Sequence, residues 1–383
     1  MIPLCEPKLF GDEWEYLKDC LNTNNISSVG PYVNQFETIF EKYLGQGYHA
    51  IACINGTAAL HIALLVAGVQ PDEEVIIPAL TFIAPANTIR YVGAWPVFID
   101  VEHSYWQLDP QKVYDFLTEQ CHVQKGVLIN RNTGRKVVAI LPVHILGHPV
   151  DMDPILEVAK RFNLIIIEDA AESLGAIYKG KRVGTLSDIA CFSFNGNKII
   201  TSGGGGMIVT QNRSWAEKVR YFTMQAKDDP LEYIHHEIGY NYRLSNLQAA
   251  VGVAQMQHLN ECIRVKNNIA KIYKKGLANI SGIIHPITAS WATSIFWLYT
   301  ILIEPNVYGI NSRQLYQKLR ENNIQSRPFW CPLHTLRPFV KCYAYKIEVA
   351  EKLYKSALSL PSSVGLTETD QKYVINSIWK YKC

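Results

Sequence analysis

The 383 residues are 48% hydrophobic and 19% charged, enough for roughly two to three domains' worth of core, which excludes disorder as the dominant state. Lysine and arginine total 37 against 34 acids, and the resulting charge of +3 is too small to build a duplex-binding face by bulk electrostatics, so any anionic ligand must be held by local devices. The opening Met1-Ile2-Pro3-Leu4-Cys5-Glu6 has no basic region followed by an apolar one, and the charge-free stretch from Tyr43 to Pro71 is broken by Gly45, Gly47, Asn55 and Gly56 where a membrane span needs about 20 apolar residues, which predicts a cytoplasmic chain.

Short β-branched apolar runs alternate with amphipathic stretches through the first two thirds, the signature of an α/β fold. The runs Ala50–Ile54, Glu74–Ile77, Pro96–Asp100, Lys136–Pro142 and Leu164–Asp169 are nearly continuous in apolar character, as strands covered on both faces are. Thr57–Ala67, Ala84–Val92, Asp109–Gln120 and Met152–Arg161 read as helices, the last capped by Asp151 or Asp153. From Ile189 to Thr210, β-prone residues surround the glycines Gly203–Gly206 and predict a hairpin. A long helix is expected from Asn246 to about Ala278, then strand-like Trp297–Ile303 and helix-like Arg313–Asn322 and Lys346–Ser356. The spacing therefore predicts a large unit over 1–250 and a smaller one over 251–383 that begins with the connecting helix. Nine scattered cysteines without a CxxC pair predict neither a disulfide framework nor a zinc site. His144 and His148 have the i, i+4 spacing of a zinc pair, but Gly147 and Pro149 argue against a helix there.

Five stretches can carry chemistry. Ile166-Ile167-Glu168-Asp169-Ala170-Ala171-Glu172 ends an apolar strand in acids, where parallel sheets bind ligands; the same acids could equally cap the next helix. In Ser193-Phe194-Asn195-Gly196-Asn197-Lys198 a single lysine sits among small and apolar neighbours with no acid close by in sequence, the setting in which desolvation favours a nucleophilic amine; a lone lysine is more often solvated. The glycines that follow match neither GxxxxGK[ST] nor GxGxxG, and a tight turn needing positive φ is the favoured reading. Cys53-Ile54-Asn55-Gly56-Thr57-Ala58 is a strand, a sharp turn and a helix start whose amides suit a phosphate, or simply a helix capped by Thr57. Gly239-Tyr240-Asn241-Tyr242-Arg243 is an aromatic turn before a helix. Gln325-Ser326-Arg327-Pro328-Phe329-Trp330-Cys331-Pro332-Leu333-His334 opens a stretch with four basic residues and no acid, able to meet a diphosphate or carboxylate, or to be a solvated edge.

The order of these motifs resembles fold-type-I enzymes that use pyridoxal phosphate. More narrowly, Asn55-Gly56-Thr57-Ala58-Ala59-Leu60, Pro78-Ala79-Leu80-Thr81-Phe82, Glu168-Asp169-Ala170-Ala171-Glu172, Ser193 to Lys198 and Gly239 to Arg243 resemble the DegT/DnrJ/StrS sugar aminotransferases over essentially the whole chain. Ser193-Phe194-Asn195-Gly196-Asn197-Lys198, Gln225-Ala226-Lys227-Asp228-Asp229-Pro230 and Gln325-Ser326-Arg327-Pro328 resemble the LegC-like branch of the legionaminic acid and bacillosamine pathways. The chain departs from the usual pattern in having four glycines where relatives carry Gly-Glu-Gly-Gly, and Phe82 where many have Trp or His.

The resemblance implies an aspartate-aminotransferase-like α/β fold, with a mostly parallel central sheet flanked by helices and a smaller C-terminal α+β domain. It implies that Lys198 holds the cofactor covalently and moves the proton, that Asp169 pairs with the pyridine nitrogen, that Phe82 stacks on the ring and that Glu172 lies near the phenolic oxygen. The phosphate would meet Gly56, Thr57, Ala58, Ser193 and, from a second subunit, Asn241, so a homodimer with shared sites is implied. Arg327 and His334 are candidates for the sugar nucleotide or the donor. The implied reaction moves an amino group from L-glutamate to C4 of a nucleotide-linked 4-keto-6-deoxy sugar, with UDP-2-acetamido-2,6-dideoxy-4-hexulose the expected substrate, for surface glycan or nonulosonic acid synthesis. The alternatives are a C3 aminotransferase, a GDP- or dTDP-sugar enzyme and a non-catalytic regulatory relative.

Overall fold

The computed structural model describes residues 1–382. In chain order the strands are β1 (His49–Cys53), β2 (Glu74–Pro78), β3 (Trp95–Ile99), the hairpin β4 (Cys121–Gln124) and β5 (Val127–Asn130), β6 (Val137–Ile140), β7 (Ile165–Asp169), the ribbon β8 (Ile177–Tyr178) and β9 (Lys181–Arg182), then β10 (Ile189–Ser193) and β11 (Gly206–Thr210). After them come β12 (Ile283–Ile284), β13 (Ala292–Thr293), β14 (Tyr299–Ile303), β15 (Arg327–Pro328), β16 (Ala344–Tyr345) and β17 (Ala357–Leu360). Eight form the central sheet in the order β1-β11-β10-β7-β6-β2-β3-β16. Only β11 is antiparallel to its neighbours, as the expected hairpin with β10 requires; the other adjacent pairs are parallel.

The period of two explains why these strands read as apolar throughout. In β2 Val75 and Ile77 belong to one apolar cluster and Ile76 to another, and in β7 Ile167 and Ile166 divide the same way, so each face of the sheet carries its own core. Helices Gly56–Val66 and Met152–Phe162 cover the two faces. Burying a side chain of this size is worth about 1.5–3 kcal/mol, so the two faces supply much of the drive to fold.

Three predicted elements differ in detail. The helix expected over Asp109–Gln120 is α-helical only over Pro110–Asp115 and widens into a π-helical turn at Phe116–Gln120; Asp109 caps it through the amides of Gln111 and Lys112. Asp151 stands at the start of Met152–Phe162 but accepts the Tyr178 hydroxyl at 2.6 Å instead of a helix amide. The long helix is two, Asn246–Gln257 and Leu259–Leu277, divided at His258, whose ring stacks on Phe10 at 3.9 Å and meets Asp12 at 2.8 Å.

A third apolar cluster, including Ile269, Tyr273, Ile301, Leu315, Leu358 and Val374, packs the antiparallel sheet β12-β14-β17-β15 against helices Leu259–Leu277, Ser312–Glu321 and Glu368–Lys380. Two short pairings join segments far apart in sequence. Ile2 pairs with Ile324 of the small sheet region, while β16 adds to the far edge of the large sheet beside β3. Among the described residues the eight cysteines are free, and no helix is long and apolar enough to cross a membrane.

Candidate active site

Strands β1, β2, β6, β7 and β10 run in the same direction, and their carboxyl ends border a cavity of about 320 Å³. Gly56, Thr57, Phe82, Asp169, Glu172, Ser193, Lys198 and Arg327 all line it. All but Arg327 converge because they lie at or just beyond the carboxyl ends of strands in one sheet; Arg327 comes from β15 of the small sheet.

The acids that end β7 part company, since successive side chains of a strand point to opposite faces. Glu168, fully buried, turns away from the cavity: its carboxylate accepts Gly184 N, Ser187 Oγ at 2.9 Å and His144 Nε2 at 3.0 Å. His144 Nδ1 in turn accepts Val150 N at 2.9 Å, which leaves the ring proton on Nε2. His148 is engaged elsewhere, with Pro149 O and Ala289 N, and its burial pushes its pKa down to about 4. Asp169 faces the cavity. Its Oδ1 accepts Ala171 N at 3.0 Å, and among the described residues no donor is recorded on Oδ2. Burial raises the Asp169 pKa, against the pull of Ala171 N, Lys198 and His144, so a cation brought to Oδ2 would relieve an unfavourable charge.

Lys198 leaves the β10–β11 connection in a loop fixed at its base: Phe194 O accepts Ser202 N at 3.0 Å and Thr201 Oγ1 at 3.1 Å. The glycines beyond serve the turn, with φ of 75° at Gly203 and 104° at Gly205. The Lys198 side chain is 13% exposed, and its Nζ lies 4.3 Å from the centre of the Trp297 ring and 3.7 Å from Glu172 Oε1. The absence of an acid nearby in sequence does not carry into space, because β7 delivers Glu172 to the amine.

Burial pushes the Glu172 carboxyl up to about 7, opposed by Lys198 and by Leu146 N, which donates to Oε2 at 2.9 Å. A folded pKa above the ordinary 4.5 means that this group's stabilisation is complete below that value and is lost as pH rises through about 7. In the cofactor-free protein, Glu172→Gln is therefore expected to gain Tm relative to the native chain between about pH 5 and pH 8. Thermal unfolding at both pH values checks this; an equal difference at both contradicts it.

At the helix start the cap is Asn55, not Thr57: Asn55 Oδ1 accepts Ala58 N at 2.8 Å. The Ala58 amide, expected to meet a phosphate, is already engaged, and the Asn55–Gly205 bridge turns Gly56 N to Gly205 O, which leaves Thr57 N and the hydroxyls of Thr57 and Ser193 as donors. A Cβ on Gly56 would stand 2.8 Å from Ser193 Cβ, so glycine is what lets the helix start approach the end of β10.

Asn241 and His334 do not line the cavity. Asn241 is exposed and bridges Met224, and His334 pairs with Glu351 at 3.2 Å. Thr81, Asn195, Asn197, Trp297 and Trp330 also line the cavity. Trp297 carried no sequence signal beyond being an aromatic at a strand start. Trp330 lay in the basic, aromatic stretch already singled out. No group of three or more metal-ligating side chains occurs among the described residues.

Residues 8–379 match the DegT/DnrJ/EryC1/StrS aminotransferase family. The chain is 39% identical to GDP-perosamine synthase of Caulobacter vibrioides, covering 98% of this chain and 97% of that one. It is 37% identical to the putative pyridoxal phosphate-dependent aminotransferase EpsN of Bacillus subtilis, over 98% and 94%. Its fold is similar to that of S. venezuelae DesV, solved in complex with a ketimine intermediate, with a TM-score of 0.85, 29% identity and coverage of 97% and 94%.

Proposed function

The chain belongs to the DegT/DnrJ/EryC1/StrS aminotransferase family and is a pyridoxal-phosphate-dependent sugar aminotransferase; on that premise we propose that it moves an amino group from L-glutamate to C4 of UDP-2-acetamido-2,6-dideoxy-4-hexulose. The product would serve surface glycan or nonulosonic acid synthesis in the cytoplasm. The observation that carries the chemistry is the meeting of Lys198, Glu172 and Asp169 in one cavity lined also by Phe82, Trp297 and Trp330.

The cavity fits the cofactor. Asp169 Oδ2 awaits a cationic partner such as a protonated ring nitrogen, Phe82 offers an apolar face that is 54% exposed, and Thr57 and Ser193 supply hydroxyls beside the Thr57 amide at the helix start. Bound pyridoxal phosphate supplies an electron sink for the carbanion formed at the substrate carbon. Lys198 Nζ would take the proton from that carbon and return it on the other side of the exchange, Asp169 would hold the proton on the ring nitrogen, and Glu172 would keep the amine oriented. Gly56→Ala is expected to raise the dissociation constant for pyridoxal phosphate about tenfold, within the 1–3 kcal/mol typical of overpacking, as read by absorbance titration; unchanged affinity contradicts the cradle.

We also read the enzyme as a homodimer whose second subunit brings Asn241 to the phosphate. The exposed Leu231, Tyr233, Ile234 and Ile238 on the loop before Asn241 support a buried role for that loop in an assembly. In this reading residues 1–250 bind the cofactor, and the smaller unit over 251–383 brings Arg327 to the sugar side, with His334 as a further candidate contact.

UDP is favoured by the Ser193 to Lys198 and Gln325 to Pro328 motifs, whereas the GDP-perosamine synthases among the relatives favour a GDP-linked sugar as the second reading. Comparing kcat/KM for UDP-, GDP- and dTDP-linked 4-keto-6-deoxy sugars with glutamate as donor tests this. A preference for the UDP-acetamido sugar is expected; a preference for the GDP sugar establishes the second reading and overturns the first.

A further inference from the structure

Lys266, on helix Leu259–Leu277, is 1% exposed and has no carboxylate among its hydrogen-bond partners. Its Nζ donates to Trp297 O at 2.8 Å and to Ser362 O at 2.5 Å, and lies 3.7 Å from Cys5 Sγ. A buried ammonium among neutral groups is costly, and a methionine of similar length would fill the same space without that cost. The amine's contacts are instead to two backbone carbonyls and a thiol.

Those partners surround the reacting amine. Trp297 is clamped on both sides of its backbone, by Lys266 at its carbonyl and by Leu146 O at its amide, 2.9 Å away. Leu146 N holds Glu172, so the two groups that flank Lys198 hang from one pair of segments. The Trp297 indole donates to Asn197 O at 2.7 Å, and Cys5 Sγ donates to the same oxygen at 3.1 Å, which fixes the peptide immediately before Lys198.

We propose that Lys266 is a positioning residue for Lys198, acting through Trp297: its amine holds the Trp297 backbone, and so keeps the indole against the Lys198 amine and the Asn197 carbonyl. The inference rests on Lys198 as the reacting amine, but its test does not require turnover.

In the cofactor-free protein, pulse acetylation with peptide mapping compares Lys198 with the exposed Lys372. Lys266→Met is expected to raise the Lys198 rate severalfold and leave that of Lys372 unchanged. In the loaded enzyme kcat should fall about tenfold with KM for the sugar nucleotide little changed, as small displacements of a reacting group do. In a Trp297→Ala background Lys266→Met should add little, because both changes release the same indole. A folded Lys266→Met variant with native Lys198 reactivity and kcat, or full additivity with Trp297→Ala, overturns the proposal. Should Lys266→Met not fold, Trp297→Ala alone decides: unchanged Lys198 reactivity there refutes the contact. If Lys198→Ala retained turnover, the assignment of the reacting amine would fall while the acetylation result would still report on the clamp.

Discussion

Lys198→Ala is expected to lower turnover on the order of 10⁴-fold or more, since in the proposed reaction one side chain would serve as covalent tether and as proton carrier, and general acid–base catalysis alone is worth about 10²–10⁴. The cavity has no substitute: among its lining residues the other cation is Arg327, and arginine is a poor proton carrier. Lys198→Arg is expected to fail for the same reason. Neither change should unfold the chain, because the loop is anchored through Phe194 O by Ser202 and Thr201, not through the amine. Borohydride treatment of the loaded enzyme should fix the cofactor to the Lys198 peptide and leave Lys198→Ala unlabelled. A variant with native turnover would remove Lys198 from the chemistry.

Asp169→Asn should separate activity from stability. The amide oxygen can still accept Ala171 N, so the end of β7 keeps its geometry, but the charge that would keep the ring nitrogen protonated is gone. A loss of about 10²–10⁴-fold in kcat is expected, in the range of losing a matched proton-holding group. The cofactor-free variant should be as stable as the native chain or more so at neutral pH, because burial disfavours the Asp169 carboxylate in the folded state. Measuring kcat and Tm on one preparation checks both; parallel losses of the two would make Asp169 a structural residue instead.

The strands were legible because a sheet covered on both faces needs apolar side chains on both, and the middles of β2, β7 and β10 meet that need, with polar residues confined to strand ends. What pairs with what was not. β16 is two residues long and joins the large sheet beside β3, about 245 positions away in sequence, a contact set by tertiary packing that no local pattern announces. The break at His258 has no local signature, since the apolar period continues across it, and the ring's contacts with Phe10 and Asp12 mark the kink. At the site, the adjacency of Glu168 and Asp169 concealed opposite duties, one anchoring Gly184, Ser187 and His144 and the other facing the cavity. Thr57 was an acceptable cap by type, but Asn55 holds the position and engages Ala58. Trp297 and Lys266 were invisible because their significance is a matter of distance to Lys198 and to each other.

The nucleotide is the least legible feature, since base selectivity depends on pocket shape contributed by few and scattered side chains. The reaction itself is more sharply testable. Incubating the enzyme with pyridoxal phosphate, a nucleotide-linked 4-keto-6-deoxy sugar and ¹⁵N-glutamate, then reading the product by NMR, follows the amino group directly. The account predicts ¹⁵N on C4 of the sugar with one equivalent of 2-oxoglutarate formed, and nothing with Lys198→Ala. Label on C3 alone, or cofactor binding without any 2-oxoglutarate, would contradict it.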